Sequence, residues 1–506
     1  MTRSQKFLSN TIASALYQIT VMLIGILTPR IMLLIYGSEL NGLVASITQF
    51  VTYFNVVQAG LSSAAIYALY RPLSEQNQFE ISGIVVATRN FFYRSGMIFI
   101  IILLFFSLVY PIFVSTNAIN SSDITILILV IGTAGIVDFF LLAKYSALLA
   151  ADQRSYVISF ASLISVVINF VIVVVLAYRG VDIVMLKSIS IITVFARSLY
   201  IRSYCIKRYS YLNYHIKPNN SALSRRWSAL VLQVLQLVQN GAPIIILTTV
   251  STLKRVSIYS IYSMIILGIS SLLDIFMSGL SASFGEIISQ NKIEVLQRTY
   301  RDFEFLYYGL ISIVYSVSLV MIMPFIRIYT NGVSDTNYNL PIIGFLFVLN
   351  AYLYNIKTPQ GMLVISAGLF KETQTKSLLQ AIIIVVPGFI LAYLFDISGV
   401  LLALILSNFY RDIDLIFFVP AKITNLPVKE TLLRIVRSII SIALSSLPMQ
   451  FIANLNIDSI LQWIIVATLV TVYSSIMWLS ISIIFDRKQL VLVKQRIYFM
   501  VKNTRG

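Results

Sequence analysis

Apolar residues run along the chain in long stretches that short polar segments separate. A transmembrane helix needs about 20 consecutive, predominantly apolar residues, and fourteen stretches come close to or exceed that length. They cover residues 9–35, 41–69, 91–115, 123–149, 155–178, 181–205, 227–250, 256–284, 303–329, 339–368, 377–395, 398–420, 432–454 and 459–485. The pattern predicts an all-α integral membrane protein with about 14 transmembrane helices and no soluble domain between them.

Composition excludes other classes of protein. Of 506 residues, 58% are hydrophobic and 11% are charged, whereas soluble domains carry about 25% charged residues. A water-soluble protein and a disordered one are therefore both excluded. One cysteine, Cys205, allows no internal disulfide and no cysteine metal cluster, and the one histidine, His215, allows no histidine-rich metal site.

The net charge of +17 follows from topology. Most of the 37 Lys and Arg residues lie in the N-terminal segment and in every second polar segment after it. Because basic residues near span ends stay on the cytoplasmic side, both termini are predicted to be cytoplasmic. We interpret residues 9–35 as a signal anchor and first span, since a small-residue cleavage site is lacking. The charge fits anionic membrane lipids, and no nucleic-acid partner is predicted.

A short repeat indicates a duplicated architecture. Gly60-Leu61-Ser62 ends the second apolar stretch, and Gly279-Leu280-Ser281 ends the eighth. Two six-helix lobes would then share their orientation, in a pseudo-twofold arrangement about an axis along the membrane normal, with two further C-terminal helices. The predicted parts are an N-lobe (1–205), a cytoplasmic linker (206–226), a C-lobe (227–421), spans 13 and 14 (422–485) and a basic amphipathic cytoplasmic tail (486–506).

The outer loops are short, which disfavours an enzyme. The sequence also lacks a Gly-x-x-x-x-Gly-Lys-Ser/Thr phosphate loop, which disfavours an ATP-driven pump, so a secondary-type transporter is favoured. Polar residues inside the spans are then the candidate site. Several lie on stripes at helical spacing, with Pro359 predicted to kink span 10; interhelical packing is the commoner role of such stripes. The candidates that follow from these stripes are Gln18, Asn240, Asn350 and Tyr354.

Deep charges give a sharper indication, since a charge at mid-bilayer costs at least about 2.5–3.5 kcal/mol. Arg30, Asp274 and Lys357 lie too far from the span ends for easy escape to the headgroups. Two interpretations of these three charges remain open: they form ion pairs with one another in a packed bundle, or they line a water-filled cavity. Asp138 is also deep and has no evident partner, whereas Arg411 and Asp414, three residues apart, are expected to neutralise one another.

A cationic cavity would suit a sugar carried on a lipid diphosphate. Arg or Lys in a wet cleft neutralises the diphosphate while the hydrocarbon tail stays in the bilayer. An anionic solute would need the same charges, so the charges alone do not identify the substrate.

Four segments carry a resemblance to a known family. They are Pro29-Arg30-Ile31, Tyr36-Gly37-Ser38-Glu39-Leu40-Asn41-Gly42-Leu43, Gln58-Ala59-Gly60-Leu61-Ser62-Ser63-Ala64 and Tyr70-Arg71-Pro72-Leu73. The chain resembles bacterial polysaccharide repeat-unit flippases, the O-antigen and capsule transporters of the multidrug/oligosaccharidyl-lipid/polysaccharide exporter superfamily. This implies undecaprenyl-diphosphate-linked oligosaccharide as cargo, moved from the inner to the outer leaflet of the cytoplasmic membrane by alternating access. It also implies that Arg30 holds the place of a cationic cavity residue of related lipid flippases.

We expect a monomer without a cofactor, with the polysaccharide polymerase machinery as a candidate partner. The coupling ion, Na⁺ or H⁺, is open, with Asp274 as a candidate for binding it. One alternative is an ion-coupled small-molecule or drug exporter of the same superfamily, although exporters of cations favour acidic cavities. A membrane polymerase or glycosyltransferase is a second alternative, which the short outer loops disfavour. In the peptidoglycan-precursor flippase, relatives of spans 13 and 14 form a groove for the lipid tail, and no motif indicates this here.

Overall fold

The computed structural model describes residues 3–220, 226–278, 280–447 and 457–503. Nine helical segments in these ranges are long and apolar enough to cross a membrane, which confirms the predicted all-helical, multi-pass membrane fold. The helices are α1 (Arg3–Phe54), α2 (Val56–Ser74), α3 (Gln78–Phe113), α4 (Ser121–Val137), α5 (Ala143–Ala151), α6 (Ser155–Tyr178), α7 (Ile183–Arg208), α8 (Arg226–Val250), α9 (Leu253–Ser278), α10 (Leu280–Ser289), α11 (Ile293–Tyr329), α12 (Pro341–Ile356), α13 (Thr358–Ser366), α14 (Phe370–Val419), α15 (Val428–Ser446), α16 (Ile460–Phe485) and α17 (Arg487–Asn503).

The chain divides into two compact units, Met1–Ile261 and Tyr262–Gly506. Helix α8 and the first residues of α9 belong to the first unit, whereas the sequence analysis assigned residues 227–261 to the C-lobe. Compact units and repeated lobes need not end at the same residue. The predicted lobe boundary at 206–226 therefore stays a prediction.

Two helices are much longer than a bilayer is thick. Helix α1 has 52 residues and α14 has 50, and at 1.5 Å per residue each would extend about 75 Å if straight, against about 30 Å of hydrocarbon. Non-helical backbone interrupts both, at Gly37 (φ 79°) and at Asp396 (φ 56°). These interruptions lie where the sequence predicted the breaks between spans 1 and 2 and between spans 11 and 12.

The segment Tyr36–Leu43, which carried much of the family resemblance, is a structural joint in the first unit. Gly37 takes the positive φ that favours glycine. The Tyr36 hydroxyl donates to the Val181 carbonyl (2.6 Å), and the Asn41 amide donates to the Ser257 hydroxyl (2.8 Å). These bonds fix α1 to the loop before α7 and to α9, so the motif specifies the bend of α1.

Gly42 lets α1 approach the start of α9 closely. A Cβ atom built on Gly42 would lie 1.8 Å from the Leu253 carbonyl oxygen. Gly42→Ala should therefore lower the free energy of unfolding by about 1–3 kcal/mol, the usual cost of overpacking, measured as a lower midpoint of thermal unfolding in detergent. Gly25→Ala in the same helix is the control, because nothing lies within 4 Å of its Cβ position. A Gly42→Ala variant as stable as Gly25→Ala would contradict this explanation.

Several charged side chains inside the units are paired. Asp138, for which the sequence offered no partner, accepts a hydrogen bond from Arg197 at 2.7 Å. The expected pair of Arg411 and Asp414 forms at 2.6 Å. Packing and pairing therefore account for these charges, and neither pair needs a ligand.

Near the start of α1, Asp152 binds Lys6 at 2.9 Å and Arg154 at 2.6 Å, and it accepts from the Tyr209 hydroxyl at 2.8 Å. Burial alone would raise the pKa of Asp152, but these hydrogen bonds outweigh burial and lower its pKa. The carboxylate therefore stays ionised at neutral pH and joins the first helix to the ends of α5 and α7.

Candidate functional site

Lys357 lies at a break between two helices of the second unit. Helix α12 ends at Ile356 and α13 begins at Thr358, so that Lys357 is the junction residue. Pro359, in the first turn of α13, has no N–H to continue the α12 hydrogen-bond pattern. The proline that the sequence predicted to kink span 10 thus lies beside the interruption between α12 and α13, and Lys357 occupies that interruption.

The Lys357 ammonium is held by neutral groups. Its Nζ donates to the Asn408 side-chain oxygen at 2.5 Å and lies 4.6 Å from the centre of the Tyr354 ring. The Asn408 amide nitrogen in turn donates to the Asn350 oxygen at 2.8 Å. Three predicted site residues, Asn350, Tyr354 and Lys357, therefore come together through Asn408, which the sequence analysis missed. We call these four residues with Asp412 the lysine cluster.

Asp412 was also missed. It lies one helical turn after Asn408 on α14 and is 4% exposed. Neither of its carboxylate oxygens accepts a hydrogen bond within the described part of the chain. It interacts electrostatically with Lys357, yet the two form no ion pair within 4 Å. The i, i+4 spacing of two polar residues inside span 12 was the signal that could have revealed both Asn408 and Asp412.

Asp274 is exposed near the end of α9. Its carboxylate interacts electrostatically with the hydroxyls of Tyr307 and Tyr354. Tyr307 itself donates to the Asn355 oxygen at 2.8 Å. Asp274 is therefore near Tyr354 of the lysine cluster. Four of the seven predicted residues share this region of the second unit: Asp274, Asn350, Tyr354 and Lys357.

The other three predicted residues belong to the first unit. Gln18 and Arg30 are on α1, where Gln18 is exposed and Arg30 is half-buried, and Asn240 is exposed on α8. An exposed amide on a membrane helix is available for a polar contact but does not by itself define one. Whether Arg30 lines a cavity stays a prediction.

An apolar groove of about 380 Å³ lies in the second unit between α11, α12 and α15. Leu349 and Leu353 line it. In the sequence, Leu349 precedes Asn350 and Leu353 precedes Tyr354, and both of these following residues belong to the lysine cluster. Other apolar side chains along the groove are Leu319, Phe345, Val348, Ile439, Ile442 and Ala443. Helix α12 therefore contributes residues both to the cluster and to the groove, and the groove includes residues of predicted span 13.

A buried ion pair stabilises the helices behind the cluster. Glu304 is 1% exposed and accepts from Arg434 at 2.5 Å and from the Thr431 hydroxyl at 2.8 Å. Gln360, on α13, donates to Glu304 at 3.3 Å and to the Tyr308 hydroxyl at 3.0 Å. This network joins α11, α13 and α15, and so fixes the helix that begins next to Lys357.

No family model matches the chain, and no curated protein matches it. Solved structures of the same fold were found. The lipid II flippase MurJ in its inward closed conformation is 16% identical, with a TM-score of 0.72 over 94% of this chain and 100% of that chain. An inward-facing multidrug resistance MATE family transporter of the MOP superfamily is 16% identical, with a TM-score of 0.62 over 81% and 96%. A MATE protein in the bent conformation is 14% identical, with a TM-score of 0.53 over 84% and 96%. The chain has the fold of these membrane transporters.

Proposed function

We propose that the protein is a flippase that moves an oligosaccharide linked to undecaprenyl diphosphate from the inner to the outer leaflet of the bacterial cytoplasmic membrane, for surface polysaccharide synthesis. The observation that carries the proposal is the state of Lys357. A half-buried ammonium at a helix break is held by an amide and an aromatic ring, and Asp412, the carboxylate that interacts with it electrostatically, is not within ion-pair distance. A cationic group outside any ion pair therefore lies inside a membrane helix, where charge is costly.

A diphosphate head is a suitable ligand for that charge. An ammonium has three N–H donors and the Asn408 oxygen occupies one, so two remain for phosphate oxygens. The Asn350, Tyr354 and Asn408 side chains add polar groups that a hydrated sugar head requires. The apolar groove between α11, α12 and α15 provides a surface for the hydrocarbon tail. The fold shared with a structure described as a lipid II flippase supports the same substrate class.

Alternating access then needs a change in the charge balance around Lys357. When the anionic head leaves the ammonium on the outer side, a carboxylate can take up a proton or Na⁺ there and release it on the inner side, so that the ion moves down its gradient as the empty protein returns. Asp412 and Asp274 are the two candidates for that coupling. No ATP is required, because a transmembrane ion gradient drives the return of the empty protein.

Flipping can be measured directly with purified full-length protein in proteoliposomes. A fluorescent polyprenyl-diphosphate oligosaccharide is placed in both leaflets, and a membrane-impermeant reductant added outside destroys the fluorescence of the outer leaflet only. Loss of fluorescence from the inner leaflet that depends on the protein then reports transfer. We expect transfer that increases with an imposed proton or Na⁺ gradient. Protein-free liposomes, and a matched probe on a neutral polyprenyl alcohol, are the controls. Equal transfer of the neutral probe would contradict a role for the diphosphate.

The exporter alternative is favoured by two observations, the MATE structures of the same fold and the exposed Asp274 carboxylate. An exporter of cations would remove an organic cationic dye from the same proteoliposomes under the same gradients. Dye efflux without transfer of the diphosphate probe would replace the flippase assignment with this one. Transfer of the probe without dye efflux would exclude the exporter.

A further inference from the structure

A basic cleft of about 360 Å³ lies in the second unit and shares no residue with the lysine cluster. Helices α11, α15 and α17 contribute its walls, together with the residue that joins α16 to α17. We call it the arginine cleft. Its lining consists of five arginines, three carboxylates, one glutamine and two leucines: Arg298, Arg301, Arg434, Arg437, Arg496, Asp302, Glu430, Asp486, Gln489, Leu433 and Leu492.

The carboxylates hold the guanidinium groups in place. Glu430 accepts from both Nε and Nη2 of Arg301, at 2.8 and 2.9 Å. Asp486 pairs with Arg437, and Asp302 pairs with Arg496. The Arg301 guanidinium lowers the pKa of Glu430, mainly through its hydrogen bond, so this carboxylate is ionised at neutral pH.

The ion pairs do not exhaust the donors of the cleft. A guanidinium has five N–H donors, and each of these pairs uses one or two of them. Arg298 forms no ion pair with the residues that the structure describes, and the Arg496 Nε is buried without an acceptor. Five arginines face three lining carboxylates, and Glu304 pairs with Arg434 from outside the lining, so one positive charge remains in excess. Several fixed N–H donors around one cavity are the arrangement that binds phosphate oxygens.

The position of the cleft specifies the source of the phosphate. Helix α16 has 26 residues, is apolar enough to span the membrane and ends at Phe485, immediately before the cleft residue Asp486. The cleft therefore lies where a membrane-spanning helix ends, at the level of the lipid headgroups. Leu433 and Leu492, each about 42% exposed, line the same cavity. A basic cavity with an apolar border at that level fits an amphiphile better than a free ion.

We propose that the arginine cleft binds the phosphate of an anionic membrane phospholipid, with an acyl chain against Leu433 and Leu492. The lipid would connect the C-terminal helix α17 to α11 and α15. Asp302 of α11 already accepts a hydrogen bond from the Gln489 amide of α17 at 2.6 Å. The proposal is independent of the cargo, so an exporter with this fold would bind the same lipid.

The test uses the full chain in an uncharged detergent. Two quantities are measured: the midpoint of thermal unfolding, and the retention of lipid, which native mass spectrometry detects. The added probes are phosphatidylglycerol, phosphatidylcholine and inorganic phosphate. A ligand that binds only the folded state raises the midpoint, and we expect this for phosphatidylglycerol alone. Arg298→Gln should weaken its binding about fivefold. Arg298 is exposed and outside the ion pairs, so its loss leaves the framework of the cleft intact.

Arg71→Gln is the matched control, because Arg71 is an exposed arginine of the first unit whose side chain is 84% accessible. It should bind phosphatidylglycerol as the unaltered protein does. Equal stabilisation by phosphatidylcholine, or equal binding by Arg298→Gln, would overturn the proposal. Equal stabilisation by inorganic phosphate would show a free-anion site and overturn the assignment to a lipid. None of these outcomes depends on whether the flipping assay succeeds.

Discussion

Replacing Lys357 by alanine should reduce transfer of the diphosphate probe at least about tenfold, because hydrogen bonds to a charged group contribute about 1.5–3 kcal/mol. The substitution removes the cation that the lysine cluster retains and leaves the neutral Asn408 and Tyr354. The measurement is the initial rate of transfer in proteoliposomes that contain equal amounts of folded protein. Lys371→Ala is the control, since Lys371 is an exposed lysine of the same unit, and it should transfer at the unaltered rate.

A second variant separates transport from folding. Lys357→Ala removes the cation that interacts with the buried Asp412 carboxylate. This loss can lower the stability of the protein by itself. Lys357→Ala combined with Asp412→Asn removes both charges, so the double variant should fold while transfer stays low. Normal transfer in the folded double variant would remove Lys357 from the site.

Replacing Arg434 by alanine should lower the free energy of unfolding by about 3–5 kcal/mol. Breaking a buried ion pair leaves an uncompensated charge in the interior, and Glu304 is only 1% exposed. The Tyr300 hydroxyl also donates to Glu304, at 3.2 Å. Adding Glu304→Gln should recover part of the loss, because the neutral amide oxygen can still accept from Thr431 and Tyr300. Thermal and denaturant unfolding of the purified variants in detergent measure both changes.

Arg71→Ala is the comparison for this experiment. It removes an arginine from an exposed pair with Glu75, and exposed pairs contribute little to stability. A loss in Arg434→Ala as small as that in Arg71→Ala would show that the Glu304 network does not stabilise the second unit.

The fold followed from the sequence because one physical requirement dominates it. Apolar stretches long enough to cross a bilayer must form helices, since lipid cannot satisfy backbone hydrogen bonds. The breaks near Gly37 and Asp396 were predictable, because a helix of 50 residues exceeds the bilayer and must turn. The compact unit to which a helix belongs was less accessible: the second unit begins only at Tyr262, and such packing depends on side chains far apart in sequence.

The site was only partly predictable, for reasons that particular residues illustrate. Depth in a span identified Lys357, because a deep charge needs an explanation. Depth did not identify Asp412, since its neighbours Arg411 and Asp414 form a local pair that obscured the third charge between them. Arg434 and Arg197 form ion pairs that no sequence pattern indicated. Their partners, Glu304 and Asp138, come from distant helices, and sequence spacing carries no information on such pairs.

The amide that holds Lys357 has a consequence for residence time. Separating an ammonium from a carboxylate in a medium of low dielectric constant requires far more energy than breaking one hydrogen bond to an amide. An incoming anion therefore reaches an ammonium without first separating it from a hydrogen-bonded carboxylate, and two of the three N–H donors are available to it. Capture of the cargo is then fast, whereas its release requires that water or an ion replace the contact with the ammonium.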